Sequence, residues 1–373
     1  MIQRKKILFI HESLDGGGAE KVFVDMLARF DRRSCDITLL LLFGGGTHTQ
    51  SLPEDIRVIT LWTGKHRGLR WLRWHFLATR DVMLRQAVCR ALEGKYFDTI
   101  ASFLEGPALK AHSFVLDCAK RNVTWVHANL ETNHWSSYMF ADTDSEAAVY
   151  RKMDAIAFVS EGARDAFKRQ FGISEKLHIV HNIIDTPVIR QKAAEPLDEA
   201  SGKRPVIINV GRLEVQKRQD RLLHVVSILK QRGLDFEVWL LGTGRLEKDL
   251  KSLALRLGVS DRVRFLGFQS NPYKFMRAAT LFLLTSDTEG WPTVVCEALS
   301  VGLPVVSTRV TGAEELLGGG IGVLTGLEPE EIAAAVEPLL GDYAVLARMR
   351  DNALHRASEF DPEAVLSQIY SLI

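Results

Sequence analysis

The densest run of groups able to do chemistry is Ser286-Asp287-Thr288-Glu289-Gly290-Trp291-Pro292-Thr293-Val294-Val295-Cys296-Glu297, with Gly302-Leu303-Pro304-Val305-Val306 close behind. Proline suits the first turn of a helix and glycine its C-terminal cap, so the spacing predicts a helix from about Pro292 to Val301. Glu289 then lies in the loop before that helix and Glu297 about a turn and a half inside it. Two carboxylates so placed cannot share one task. The loop residue can accept hydrogen bonds from a group deep in a binding site, and the helix residue from a diol farther along the same ligand. The N–H groups of Thr293 and Val294 stand free at the positive helix end, which makes a phosphate site.

Other candidates are more modest. Asp15-Gly16-Gly17-Gly18-Ala19-Glu20 follows an apolar run and opens a helical one, so its backbone can turn tightly or cradle an anion. It lacks both the G-x-G-x-x-G spacing of dinucleotide folds and the Gly-Lys-Ser/Thr of a P-loop. Arg212 and Lys217 share the loop after Val206–Val210, where fixed cations can meet an anion. His127 ends the run Val123-Thr124-Trp125-Val126, and Glu105-Gly106 ends another apolar run.

These residues need elements to hold them. Short apolar runs recur at Ile7–Ile10, Ile37–Phe43, Thr99–Leu104, Val123–His127, Ala155–Val159 and His178–Val180, separated by stretches long enough for crossover helices. After a proline-bearing, aperiodic segment the pattern restarts with Val206–Val210, Glu237–Leu241, Val263–Leu266, Leu281–Thr285 and Pro304–Ser307. The reading is α/β: two Rossmann-like doubly wound parallel-sheet domains facing across a cleft. We place the N-terminal domain at 1–186, a linker at 187–205, the C-terminal domain at 206–361 and a terminal helix at 362–373 that can cross back to the N-terminal domain. In such sheets the ligand-binding loops follow the carboxyl ends of the strands.

Composition sets limits. The 373 residues include 47 Lys plus Arg against 46 Asp plus Glu, a net charge of +1 that gives no general attraction to nucleic acid. No apolar run approaches the ~20 residues of a membrane-spanning helix, so a cytoplasmic protein is expected. The four cysteines are far apart with no C-x-x-C pair, which predicts reduced, mostly buried thiols.

In this order, the motifs resemble those of the GT-B-fold retaining glycosyltransferases, family 4 (glycosyl transferases group 1), of the bacterial surface-polysaccharide type. The resemblance spans nearly the whole chain. It takes in Gly16-Gly17-Gly18-Ala19-Glu20, His127, Val159-Ser160-Glu161, Asn182-Ile183-Ile184-Asp185, Gly211-Arg212-Leu213-x-x-x-Lys217, Gly242-x-Gly244, Phe265-Leu266-Gly267-Phe268, Glu289 to Glu297 and Gly312-x-Glu314. It implies that Glu289 contacts donor-sugar hydroxyls, Glu297 the ribose, Arg212 and Lys217 the diphosphate, and His127 the donor sugar. Phe268 is then placed near the base. Gly16, Gly17, Gly18, Gly211, Gly290, Trp291, Pro292, Thr293 and Val294 complete the donor site. The implied reaction moves a hexose or N-acetylhexosamine from a nucleotide sugar, UDP-linked by family weight, with retention of configuration. The alternative is a non-hydrolysing nucleotide-sugar epimerase of the same fold.

Many other glycosyltransferases hold a divalent ion with Asp-x-Asp. Here Asp142-Thr143-Asp144 sits in a polar stretch with no strand before it and reads as a solvated turn, so neither a metal nor another cofactor is expected. The segment from Arg67 to Arg90 projects Leu72, Phe76 and Met83 to one side and Arg70, Arg73, Trp74, Arg80 and Arg85 broadly opposite, with Trp71 at the margin. Arg70, Trp71, Arg73 and Trp74 would suit an anionic membrane surface, at the inner face of the cytoplasmic membrane, with a saccharide or lipid-linked saccharide as acceptor. A helix packed on its own domain, with a solvated basic face, accounts for the same pattern.

Overall fold

The computed structural model describes residues 4–15, 17–63, 77–197 and 204–373. The chain divides into two units, one running to Ile183 and completed by Glu363–Ile373, the other Ile184–Pro362.

The first unit holds seven strands: β1 (Lys5–His11), β2 (Cys35–Phe43), β3 (Arg57–Trp62), β4 (Phe97–Ser102), β5 (Ala119–Val126), β6 (Ala155–Phe158) and β7 (Leu177–Ile179). They form one parallel sheet in the order β3-β2-β1-β4-β5-β6-β7. Strand β1 shows why its sequence is continuously apolar: both faces are covered. Ile7 and Phe9 pack with Phe23, Leu27 and Phe30 on one face. Leu8 and Ile10 pack with Leu84, Val88 and Leu109 on the other. The helix Pro362–Leu372 adds Leu366, Ile369 and Leu372 to the first of these clusters. Its Tyr370 hydroxyl accepts the Asp31 N–H at 2.7 Å.

The second unit has β8 (Val206–Val210), β9 (Glu237–Leu241), β10 (Val263–Gly267), β11 (Leu281–Leu284), β12 (Val305–Thr308) and β13 (Val323–Thr325). Its parallel order is β10-β9-β8-β11-β12-β13. In each unit the winding reverses between the first strand and the fourth, the point at which open α/β sheets take ligands. The helix Gln219–Gln231 buries Leu222, Leu223, Val225, Val226 and Leu229 in a core that also contains Ile207 and Val238.

Two strands have no counterpart in the sequence reading. Strand β3 is a half-exposed edge strand, so it lacks the continuous apolar run of its neighbours, and β13 is only 3 residues long. The stretch read as a linker begins with a helix, Thr186–Ala193, whose Pro187 lies in the first turn and whose N-cap Asp185 accepts the Val188 N–H at 3.0 Å. Arg190 Nε donates to the Ser300 carbonyl at 2.8 Å, which ties this helix to the second unit. Residues 198–203 lie outside the described residues.

Arg70, Trp71, Arg73 and Trp74 also lie outside the described residues. Of the helix that follows, Leu77–Ala91, one assignment is corrected: Arg80 does not belong to a solvated basic face. It is buried, donating to the carbonyls of Tyr138 and Met139 at 2.6 Å each. Asp142 is likewise no simple turn residue but the N-cap of the helix Thr143–Tyr150, accepting the Ser145 N–H at 2.7 Å. Of the four free cysteines, Cys35 and Cys296 are buried and Cys89 is exposed. Among the described residues no helix is long and apolar enough to cross a membrane.

Candidate active site

In the second unit, the loops after β8 and β11 flank the reversal point and carry most of the singled-out groups. The first is shaped by glycines. A Cβ at Gly242 would stand on the Gly211 carbonyl oxygen, and one at Gly244 on that of Leu213. Only glycine permits this approach, and Gly242 also takes a φ of +131°. The loops then bond directly, Leu213 N–H to the Thr243 carbonyl at 3.0 Å and Leu246 N–H to that of Leu213 at 3.2 Å. Between them Arg212 is exposed, and its guanidinium makes no hydrogen bond or ion pair among the described residues.

The loop after β11 places Glu289 against Lys217. Lys217 Nζ and Ser286 Oγ both donate to Glu289 Oε1, each at 2.6 Å. The glutamate is 7% exposed, so its charge is matched where water is scarce. With Oε1 doubly held, Oε2 is the oxygen left to accept from a ligand. The helix runs Thr293–Ser300 with Pro292 at its N-cap, one position outside the expected start, and Gly302 follows at a φ of +72°. The Pro292 carbonyl takes the N–H of Val295 and Cys296, while those of Thr293 and Val294 have no acceptor within the helix. Gly312 packs on this entry: a Cβ there would collide with the Gly290 carbonyl and Trp291 Cα. Trp291 itself is buried.

Glu297 is half-buried and accepts from the Tyr273 hydroxyl at 3.0 Å. Phe268, just past β10, is 72% exposed, which rules out a core role and leaves its ring free to stack on a planar ligand.

The first unit assembles a separate group at the ends of β1, β4 and β5. Phe103 lies against both the His11 and the His127 rings, with centroids 6.3 and 4.8 Å away. Burial holds His127 neutral, its pKa lowered to about 3, and His11 likewise at about 4. Glu105 is buried beside them and accepts the His127 backbone N–H at 2.8 Å and the Trp135 indole N–H at 2.7 Å. Burial pushes its carboxyl pKa above the usual range. At Gly17 the N-terminus of the helix Gly18–Arg29 is already faced by a charge, because a Cβ there would meet the Glu20 carboxylate. Gly16 lies outside the described residues.

Ser286, Asp287, Arg218, Arg221 and Tyr273 contact the singled-out residues or tie their loops together, and lie outside the site residues that the sequence points to. Only the serine and aspartate of the run that opens the motif gave any signal, as its first two members.

Two family models cover the chain in succession. Residues 16–187 match Glycosyltransferase Family 4, and residues 191–356 match Glycosyl transferases group 1. A relative from Campylobacter jejuni, the N-acetylgalactosamine-N,N'-diacetylbacillosaminyl-diphospho-undecaprenol 4-alpha-N-acetylgalactosaminyltransferase, is 29% identical over 370 residues, 95% of each chain. The lipopolysaccharide core biosynthesis glycosyltransferase LpsE of Rhizobium meliloti is 28% identical over 62% of this chain and 67% of its own. Among solved structures, HepE of Anabaena in complex with UDP and glucose superposes with a TM-score of 0.77 at 23% identity, covering 99% of both chains.

Proposed function

The chain belongs to the family 4, group 1 glycosyltransferases, and from that premise we propose that it moves a hexose or N-acetylhexosamine from a UDP-sugar to a saccharide or lipid-linked saccharide acceptor in cell-envelope polysaccharide assembly. The observation that carries this reading is the Lys217–Glu289 pair beside a helix N-terminus, with Arg212 uncommitted nearby. A sugar that leaves its nucleotide builds negative charge on the diphosphate. Arg212, Lys217 and the N–H groups of Thr293 and Val294 are the groups that meet it, so the reaction as proposed requires no metal. Glu289 accepts sugar hydroxyls, Glu297 the ribose hydroxyls, and Phe268 stacks on the base. Gly211, Gly290, Trp291 and Pro292 shape the backbone around them.

His127 is neutral at working pH and so offers the donor sugar a hydrogen bond rather than a charge. Glu289 is held by Lys217 and Ser286, so it would have to leave that ion pair to act as a covalent nucleophile. Retention of configuration is taken from the family resemblance, and the course that gives it is departure of the nucleotide with acceptor attack on the same face, the leaving phosphate taking the acceptor's proton. UDP as the nucleotide draws support from the HepE complex, and an isoprenoid-diphosphate acceptor from the name of the Campylobacter relative. Such an acceptor would bring the enzyme to the inner face of the cytoplasmic membrane.

The test incubates the full chain with UDP-, GDP- and ADP-sugars and follows nucleotide release with and without a lipid-linked acceptor, with EDTA present in a parallel series. Acceptor-dependent release from the UDP-sugar, undiminished by EDTA, is expected. Conversion of the donor to its epimer without acceptor would replace this reading with isomerisation. Glu289→Ala should abolish transfer and keep the melting profile; full activity in that variant would remove the role given to Glu289.

A further inference from the structure

The two loops that carry Lys217 and Glu289 are stitched together by residues outside the donor-contact set. Arg218, next to Lys217, holds a left-handed backbone with φ +50° and ψ +45°, a conformation that disfavours any residue with a Cβ. Its guanidinium forks between two carboxylates: Nε donates to Asp220 Oδ1 at 3.0 Å, and Nη1 to both Asp287 oxygens at 3.1 Å. Asp287 also accepts from Arg221 Nη2 at 2.7 Å, and its own N–H donates to the Gln216 carbonyl at 2.9 Å. Arg221 is 5% exposed and donates in addition to the Thr285 carbonyl at 2.7 Å. Gln216 Nε2 reaches the Thr288 carbonyl at 2.8 Å, and Thr285 Oγ1 donates to the Lys217 carbonyl at 3.1 Å. Residues 216, 217 and 218 are thus each bonded to the segment 285–288.

We propose that Arg218 and Asp287 are a positioning pair, which fixes the loop after β8 against the loop after β11 so that Lys217 stands at Glu289 before any donor arrives. This rests on the donor-binding reading of Lys217 and Glu289. Neither member of the pair is among the residues assigned to the donor. Their work is preorganisation: without the fork the two loops keep only their remaining hydrogen bonds, Lys217 is held against Glu289 less firmly, and donor binding must order the pair first. The left-handed turn at Arg218 aims the guanidinium across the gap, which explains a long charged side chain at a position whose backbone favours glycine.

The cleanest variant is Arg218→Gly, because glycine keeps the left-handed turn without strain and removes only the fork. Asp287→Ala is less clean, since it strips a carboxylate from the buried Arg221; Asp287→Asn keeps the size and part of the bonding and serves as the second variant. Three readouts are taken on the full chain: affinity for UDP, GDP and ADP by titration calorimetry, KM and kcat for transfer, and melting temperature. Arg218→Gly is expected to weaken nucleotide affinity about tenfold and to raise the donor KM, with a melting temperature within about 3 °C of wild type. Asp287→Asn should show a smaller loss of the same kind. In a Lys217→Ala background the same Arg218→Gly change should cost less than about twofold, because there is no ammonium left to position. Wild-type affinity in Arg218→Gly, or an equal loss with and without Lys217, overturns the proposal. If Lys217→Ala and Glu289→Ala themselves leave affinity and transfer unchanged, the donor reading fails and the positioning role goes with it, a result distinct from either of the others.

Discussion

At the scale of single residues, the second-unit cluster contains two cations in different states. Lys217 is occupied by Glu289, whereas Arg212 has no partner among the described residues. Arg212→Ala therefore breaks nothing in the resting protein, and its whole effect should appear on binding a nucleoside diphosphate. A charge-assisted hydrogen bond contributes about 1.5–3 kcal/mol, so a roughly 10- to 100-fold loss of affinity at unchanged melting temperature is expected; calorimetric titration that finds affinity unchanged removes the diphosphate role. The first unit makes a pH prediction. Burial depresses the pKa of His11 and His112 to about 4 and of His127 to about 3, below the unfolded value of 6.5. Above pH 6.5 these imidazoles are neutral in both states. As pH falls below 6.5 the unfolded chain takes up protons that the folded one refuses, so stability declines toward pH 4, by about 2 kcal/mol per histidine at pH 5. Glu105 opposes this, because its raised pKa favours the protonated folded form in acid. The first unit's melting temperature should fall between pH 7 and pH 5, and a flat profile would contradict the burial assigned to these rings. The sequence made Glu289, Lys217 and Arg212 legible because each sits in a motif of fixed spacing. Arg218 was not, because its partner Asp287 is 69 residues away and only the fold brings them together.

At the scale of elements, parallel strands buried on both faces write themselves as unbroken apolar runs, which is why the central strands of both sheets were readable. Strand β3 was hidden because its residues are exposed or half-exposed and carry no buried apolar run, and β13 because it is 3 residues long with a single buried residue. The helix Thr186–Ala193 was hidden by neighbouring prolines and by a length too short for a period to show. Glycines carried a different message. The pair Gly242 and Gly244 reads in the sequence only as a motif; its physical reason is the backbone approach to Gly211 and Leu213. Gly242→Ala adds a Cβ where a carbonyl oxygen stands, in a backbone region that disfavours one. A cost of about 2–3 kcal/mol is expected, seen as a fall of roughly 4–12 °C in the second unit's transition together with weaker nucleotide binding. Melting and titration of this variant check both effects, and a wild-type result in either would mean that the loop does not depend on this contact.

At the scale of the molecule, the second unit is an insertion in the first. The chain leaves the seven-stranded unit at Ile183 and re-enters it at Glu363, where the helix Pro362–Leu372 seals one face of the sheet with Leu366, Ile369 and Leu372. Removing residues 362–373 takes away four buried apolar side chains, Leu366, Ile369, Leu372 and Ile373, worth about 1.5–3 kcal/mol each, so the first unit's thermal transition should fall steeply, while the nucleotide affinity proposed for the second unit should hold. Loss of both together would show that the units are not independent in this respect. The alternation of strands and helices made two doubly wound units legible, but helical periodicity alone says nothing about which sheet a helix will cover.

This threading sets an order of assembly during synthesis. The six-stranded unit is continuous and can close as soon as it has emerged from the ribosome, but the seven-stranded unit lacks the cover that Tyr370 gives Phe30, and the packing of Leu366, Ile369 and Leu372, until residues 363–373 arrive. For the time needed to translate some 180 intervening residues, the earlier half of the protein is the later one to mature.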